Sequence, residues 1–179
     1  MTTPTAPIFL IGYRGTGKTT VGRLVAARLG WEAIDADDEI ERRAGKSIAA
    51  IFADDGERAF RDLEAAAVAD LCRRTQLVVA PGGGAVLREA TRDAMRAAGP
   101  IVWLTASVDT IAGRLAADAA TGSRRPQLTA AGGRAEIVVL LAERTPIYRA
   151  CATLVVDTEG KSPAEVADEI IARLPDQRE

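Results

Sequence analysis

Histidine is absent from this chain of 179 residues. Its absence excludes imidazole catalysis and histidine ligation of a metal, so any proton transfer falls to a carboxylate, a lysine, a tyrosine, a cysteine or water. Cysteine is nearly as scarce: Cys72 and Cys151 lie far apart, with no metal-type spacing and no basis for a disulfide framework. Both sit among apolar residues and are expected to be buried thiols. An excess of one charge is also missing. The formal net charge is -2, and the basic residues occur singly or in pairs such as Arg42-Arg43, Arg73-Arg74 and Arg124-Arg125, which are as a rule solvated helix faces, so no general attraction to nucleic acid is expected. No segment approaches about eighteen apolar residues, and Met1 to Pro7 shows no basic region followed by a long apolar run, so neither a membrane span nor export is indicated. A cytoplasmic location follows by default. Repeats and linkers are lacking as well. What remains, with 47% hydrophobic residues, is enough for one compact domain over residues 1–179.

The most informative stretch is Gly12-Tyr13-Arg14-Gly15-Thr16-Gly17-Lys18-Thr19. It fits the phosphate-binding pattern G-x-x-x-x-G-K-S/T in full, with the apolar run Pro7 to Ile11 before it and a helical pattern from Lys18 to Leu29 after it. The glycines let backbone N–H groups converge on a polyphosphate, and the helix N-terminus adds partial positive charge. Lys18 is expected to reach the terminal phosphates and Thr19 to hold Mg²⁺. A plain glycine turn explains only part of this: strand, loop, Lys-Thr and helix all occur in register.

Further strands are expected at Trp31 to Asp35, Leu77 to Ala80, Ile101 to Leu104 and Ala152 to Val156. Between them lie helical patterns at Asp37 to Arg43, Glu57 to Arg73, Arg88 to Ala98, Ser107 to about Ala119 and Arg134 to Arg149. Ser47 caps a short helix through Phe52 that Asp54-Asp55-Gly56 stops, and Ser162-Pro163-Ala164-Glu165 opens the last helix with a capping box. The segment Thr121 to Pro126 reads as part of a mobile loop. Five strands alternating with helices call for an α/β fold of three layers, a parallel sheet covered on both faces, with ligands at the carboxyl ends of the strands. The phosphate loop, Asp35-Ala36-Asp37 and Gly82-Gly83-Gly84 would then meet in one crevice.

Several residues there have two readings. Asp35 and Asp37, two apart at a strand end, point to the same side if the extended geometry persists, one toward a metal and one toward a substrate hydroxyl; alternatively Asp37 or Asp38 caps the next helix. Arg61 with Glu64 one turn later could present its fork to an anion, or form an exposed ion pair, which spacing alone favours. Gly82 to Gly84 could admit a ligand against the backbone, or form an ordinary turn. Arg124 and Arg125 could close over a nucleotide or belong to a surface loop. Arg144, ahead of the helix-disturbing Pro146, is either structural or ligand-binding.

Taken in order, Gly12-x-x-Gly15-x-Gly17-Lys18-Thr19, Asp35-Ala36-Asp37, Phe60-Arg61, Gly82-Gly83-Gly84, Arg125-Pro126 and Glu143-Arg144-x-Pro146-x-Tyr148 resemble the shikimate kinase family over nearly the whole chain. The resemblance implies a P-loop NTPase fold like that of nucleoside-monophosphate kinases, a lid at about 119–134, and transfer of phosphate from MgATP to the 3-hydroxyl of shikimate on the way to chorismate and the aromatic amino acids. It implies that Asp37 binds the reacting hydroxyl and acts as its base or its positioner, that Asp35 holds Mg²⁺ with Thr19, and that Arg61 and Arg144 clamp the carboxylate beside Gly82, Gly83 and Gly84. ATP would lie on Gly15, Thr16, Gly17, Lys18, Thr19 and Thr20, with Arg125 on its phosphates and Arg114 and Pro163 near adenine. Shikimate and ATP would be the only partners, without nucleic acid or membrane, and the chain a monomer. It departs from the family pattern at Ala80-Pro81, where many members carry a hydroxyl residue, so a magnesium-water contact from that hydroxyl is absent. Rival readings are a P-loop kinase acting on gluconate or a nucleoside monophosphate, and a nucleotide-dependent switch, for which the Asn-Lys-x-Asp guanine motif is lacking.

Overall fold

The structure, a computed structural model, describes residues 5–118 and 132–174. In chain order its elements are β1 (Ile8–Ile11), α1 (Lys18–Leu29), β2 (Glu32–Asp35), α2 (Ala36–Ala44), α3 (Ile48–Leu71), β3 (Leu77–Ala80), a 3-10 turn (Ala85–Leu87), α4 (Glu89–Ala98), β4 (Ile101–Thr105), α5 (Val108–Ala117), α6 (Gly133–Cys151), β5 (Leu154–Asp157) and α7 (Pro163–Arg173). The five strands pair in parallel in the order β2-β3-β1-β4-β5. β1 and β3 are buried at every position, and β4 at all but its last, as strands covered on both faces must be.

Alternation along the strands sorts their side chains between two cores. Phe9 and Ile11, Leu77 and Val79, and Ile101 and Trp103 face α3, α4 and α6, where Val68, Leu71, Met95, Tyr148 and Cys151 meet them. Ile8 and Leu10, Val78, Val102 and Leu104 face α1 and α7, whose Val21, Val25, Val166 and Ile170 complete the second core. Each such side chain, withdrawn from water, contributes roughly 1.5 to 3 kcal/mol. A third cluster joins α2 to α3 through Ile40, Ile51 and Phe60, and a fourth seats α5 and α6 on Tyr13 of the phosphate loop. Both thiols are free, Cys151 buried and Cys72 half-buried.

The expected stop at Asp54-Asp55-Gly56 is a kink within α3: Gly56 takes φ 84° and ψ 173°, and the first limb runs past Phe52. α6 continues through Pro146 to Cys151. Of the range assigned to a lid, residues 119–131, including Arg124 and Arg125, lie outside the described residues; Gly132 precedes α6, and Gly133 and Arg134 begin it. Among the described residues no helix is long and apolar enough to cross a membrane.

α2 is pinned at its outer face by Glu39, which accepts hydrogen bonds from Arg42 at 2.8 and 2.9 Å and from Arg43 at 2.7 Å. The Arg42 hydrogen bonds lead in lowering the Glu39 carboxyl from 4.5 to about 2. A carboxyl lowered on folding stabilises the fold above its unfolded value and ceases to do so as the pH falls through its folded value. Urea titrations of wild type and Glu39→Gln are therefore expected to differ at pH 7 and to converge as the pH falls from 4.5 to about 2. A gap independent of pH would show that packing, not charge, is lost.

Candidate active site

The carboxyl ends of β1, β2 and β3 open on one cavity of about 590 Å³. β1 runs into the phosphate loop, β2 into Asp35 and Asp37, and β3 into Ala80 to Gly83, so three distant stretches share its wall. The loop is held close to the sheet. Gly12 has φ 144°, and a Cβ on it would stand 2.6 Å from the Leu104 carbonyl oxygen in β4, so a side chain there is excluded. Thr16, nearly buried, donates its hydroxyl to the Tyr13 carbonyl at 2.8 Å. Lys18 Nζ donates to the carbonyls of Gly12 and Tyr13 at 2.8 and 2.9 Å, folded over the loop that it would serve.

The helix that follows has no side-chain cap: Gly17 occupies the cap position in the left-handed conformation. In contrast, α2, α3, α5 and α7 are capped by Asp35, Ser47, Ser107 and Ser162. The first-turn N–H groups of α1, beside cavity-lining Lys18, Thr19 and Thr20, are thus left to an anion, which the helix dipole favours.

The strand geometry expected to run through Asp35 and Asp37 stops at Asp35. Asp35 itself is the N-cap of α2, and its Oδ1 accepts from the Asp37 backbone N–H at 2.9 Å. An aspartate that satisfies an orphan amide turns the chain helical at the next residue, so the two carboxylates are related as cap and second helical residue, not by a strand repeat, and neither Asp37 nor Asp38 is the cap. Both Asp35 and Asp37 still line the cavity. Asp35 Oδ2 also accepts from the Thr19 hydroxyl at 2.6 Å. This hydroxyl and carboxylate are hard oxygen donors that suit Mg²⁺, an ion that takes its other ligands from phosphate and water.

At the glycine run, Gly82 and Gly83 line the cavity, and Tyr148 donates its buried hydroxyl to the Gly83 carbonyl at 2.6 Å. The Arg61 guanidinium lies on Gly84, where a Cβ would stand 2.5 Å from Nη1. Arg61 donates to Glu64 at 2.7 Å, with side chains 11% and 3% exposed. The exposed pair that spacing alone favours is therefore not what forms: α3 turns this face inward against the glycine loop, and a carboxylate so buried holds its arginine in one orientation. Arg144 is 6% exposed, its guanidinium carbon 5.9 Å from the centre of the Tyr13 ring. It makes no hydrogen bond or ion pair among the described residues. A cation buried to this degree, with no counter-ion among the described residues, is suited to an anion.

Of the other expected residues, Gly15, Gly17 and Arg114 line the cavity, and Arg114 donates to the Gly15 carbonyl at 3.3 Å and the Thr158 hydroxyl at 3.1 Å. Arg61, Gly84 and Arg144 stand beside its wall, not in it, and exposed Pro163 at the start of α7 lies outside it. Arg14 and Arg23 also line the cavity and were not singled out from the sequence. Arg14 occupies a variable position of the loop motif, which hides it, and Arg23 looks like any basic residue on a helix.

A family model described as shikimate kinase matches residues 14–175. The chain belongs to the shikimate kinase family. The shikimate kinase of Rhodopirellula baltica is 45% identical over 168 residues, covering 94% of this chain and 90% of that protein. That of Oleidesulfovibrio alaskensis is 47% identical over 167 residues, covering 93% and 96%. Among solved structures, the shikimate kinase of Acinetobacter baumannii in complex with shikimate superposes with a TM-score of 0.86 at 35% identity, covering 93% of this chain and 90% of that one. The five-stranded parallel sheet flanked by helices is the fold of the solved shikimate kinases, and membership of the shikimate kinase family makes the chain an ATP-dependent kinase.

Two glycine substitutions separate packing from binding in this shikimate kinase site. In Gly84→Ala the nearest atoms to the new methyl are those of the Arg61 guanidinium, the far end of a long side chain that can shift while still paired with Glu64, so the KM for the acceptor is expected to rise ~10- to 100-fold with little change in Tm. In Gly12→Ala the methyl meets backbone at a positive φ, so a loss of ~2 to 4 kcal/mol is expected in urea denaturation. Equal losses of stability in both variants would contradict this division.

Proposed function

We propose that the chain transfers the γ-phosphoryl group of ATP to the 3-hydroxyl of shikimate, yielding shikimate 3-phosphate and ADP, in chorismate and aromatic amino acid biosynthesis. The observation that carries this reading is the cavity whose wall runs from Lys18 and Thr19 through Asp35 and Asp37 to Gly82 and Gly83, with two arginines beside it, Arg61 with its side chain 11% exposed and Arg144 buried. In this reading that wall holds a phosphate cradle and a carboxylate base, with anion seats next to them. A cytoplasmic location and action as a monomer belong to the same reading.

In it, Gly15, Thr16, Gly17 and the uncapped first turn of α1 bind the phosphates, and Lys18 exchanges its carbonyl partners for the terminal phosphate oxygens. Thr19 and Asp35 hold Mg²⁺, which neutralises phosphate charge when bound. Asp37 accepts the proton of the 3-hydroxyl as its oxygen bonds to phosphorus and the bridging oxygen departs with ADP. Arg61 and Arg144 orient the shikimate carboxylate, which a pair of planar forks does better than ammonium groups could. The glycines let the ring lie against backbone. Arg114 and Pro163 flank the adenine, and Arg125 supplies charge at the phosphoryl group; for Arg125 this rests on the family pattern alone. Phosphoryl transfer asks chiefly for such alignment and charge neutralisation.

ADP release measured side by side with shikimate, gluconate, AMP and CMP as acceptors is expected to show a strong preference for shikimate; turnover of gluconate or a nucleotide at a comparable rate would overturn the reading. Asp37→Asn is expected to bind MgATP as wild type does while kcat falls ~10²- to 10⁴-fold. Near-normal turnover of this variant would remove Asp37 from the role of base.

A further inference from the structure

Tyr148 belongs to the sequence pattern around Arg144, yet the proposed reaction gives it no part. It has no exposed surface, and its ring is stacked on Trp103 of β4. What it offers the site is its hydroxyl. Three glycines in succession leave the backbone after β3 free to rotate, so its course must be imposed from outside. Within the turn, the Gly82 and Gly84 carbonyls accept from the N–H groups of Ala85 and Leu87 at 3.0 and 3.1 Å. The Gly83 carbonyl, between them, accepts from the Tyr148 hydroxyl at 2.6 Å, and no backbone N–H among the described residues donates to it. Gly83 itself is closely held: a Cβ on it would stand 3.2 Å from the Gly12 carbonyl oxygen and 3.4 Å from the Tyr148 hydroxyl. On the next residue, Gly84, lies the Arg61 guanidinium, with Nη1, Nη2 and Cζ at 2.5, 2.6 and 2.8 Å from where a Cβ would be.

We propose that Tyr148 is a positioning residue for the acceptor: its buried hydroxyl fixes the peptide between Gly83 and Gly84, and with it the backbone surface on which the Arg61 guanidinium rests. The proposal rests on the reading that Arg61 and the glycine run bind the acceptor. Its physical basis is the planarity of the peptide. Holding the Gly83 carbonyl also sets the direction of the Gly84 N–H at the opposite edge of the same plane. A buried carbonyl that loses its donor carries the cost of its desolvation, and a peptide flanked by two glycines can rotate to relieve it. Such a rotation changes ψ at Gly83 and φ at Gly84, and so what the glycine run presents to Arg61 and to the cavity. The phosphate loop is held independently, since Thr16 and Lys18 bond the Gly12 and Tyr13 carbonyls without Tyr148. Removal of the hydroxyl therefore weakens the acceptor end of the cavity and spares the nucleotide end.

Steady-state kinetics and thermal unfolding of the full-length protein test this with three variants. Tyr148→Phe keeps the ring and its stacking, so it is expected to fold with Tm lowered by only ~2 to 4 °C. Its KM for shikimate is expected to rise ~10-fold, while the KM for ATP stays within ~2-fold of wild type. Val68→Ala, in the same core but without a polar group, separates stability from positioning: Tm is expected to fall at least as far with the shikimate KM unchanged. Tyr148→Phe combined with Arg61→Lys is expected to raise the shikimate KM ~3-fold or more short of the product of the two single effects, because the hydroxyl acts in part through Arg61. A merely structural hydroxyl would move both KM values alike, or neither, and leave the two single effects multiplicative. An unaltered shikimate KM in Tyr148→Phe, an equal rise in its KM for ATP, a Tyr148→Phe chain that does not fold, a comparable rise in Val68→Ala, or multiplicative effects in the double variant overturns the proposal. Wild type that does not phosphorylate shikimate would instead overturn the functional reading on which it rests.

Discussion

The closeness of Gly12 to the Leu104 carbonyl is the constraint on which the rest depends. It allows the loop after β1 to start against the end of the neighbouring strand β4, so the loop crosses the carboxyl edge of the sheet low down and α1 can leave in the opposite sense. The Gly12 carbonyl then receives Lys18, and the Tyr13 carbonyl receives both Lys18 and Thr16. Gly83 comes to rest against the same backbone, where a Cβ would lie 3.2 Å from the Gly12 oxygen. A side chain at position 12 would lift the loop, and the glycine run of β3 would lose the surface on which it lies.

Charge is distributed unevenly between the surface and the site. Pairs such as Lys46 with Asp54 and Asp55, or Arg134 with Asp109, are exposed and contribute little. Around the glycine run the carboxylates are buried: Glu64 pairs with Arg61 and Glu136 with Arg14, the two guanidinium groups coming from different parts of the cavity margin. Among buried pairs the desolvation cost is large and the gain in stability small or absent. Their retention makes sense as orientation. Arg144 completes the set as a buried cation with no counter-ion among the described residues.

Most of the framework was legible because its determinants are local. Gly17 and Gly30 punctuate α1 at the residues where the helix begins and ends, Ser47 and Ser162 cap where expected, and the apolar runs of β1 and β3 are strands buried on both faces. The structure departs from the sequence pattern where a side chain competes for backbone or where a helix face is set by its neighbour. Asp35 ends β2 by capping α2, which strand periodicity does not anticipate, and the inward face of Arg61 and Glu64 depends on where α3 meets the glycine loop. The phosphate cradle could be read from eight consecutive residues. The settings of Arg61 and Arg144 could not, because each reads as an ordinary helical arginine and is distinguished only by its burial.

Burial also explains how the phosphate loop and the glycine run come to share one cavity. α6 reaches the phosphate loop twice, through Glu136 to Arg14 and through Arg144 to the Tyr13 ring, and it reaches the glycine run through the Tyr148 hydroxyl. These residues, 136, 144 and 148, recur at intervals of two turns and one turn, so one stripe of a single helix touches both loops. The stripe is buried at all three positions, and Tyr148 is further stacked on Trp103 of β4 with ring centres 5.8 Å apart. A helix fixed to the sheet in this way cannot shift against one loop without disturbing the other. The spacing of the two loops is therefore set by packing in the core, where displacement is resisted over the whole length of α6, and not by the loops alone.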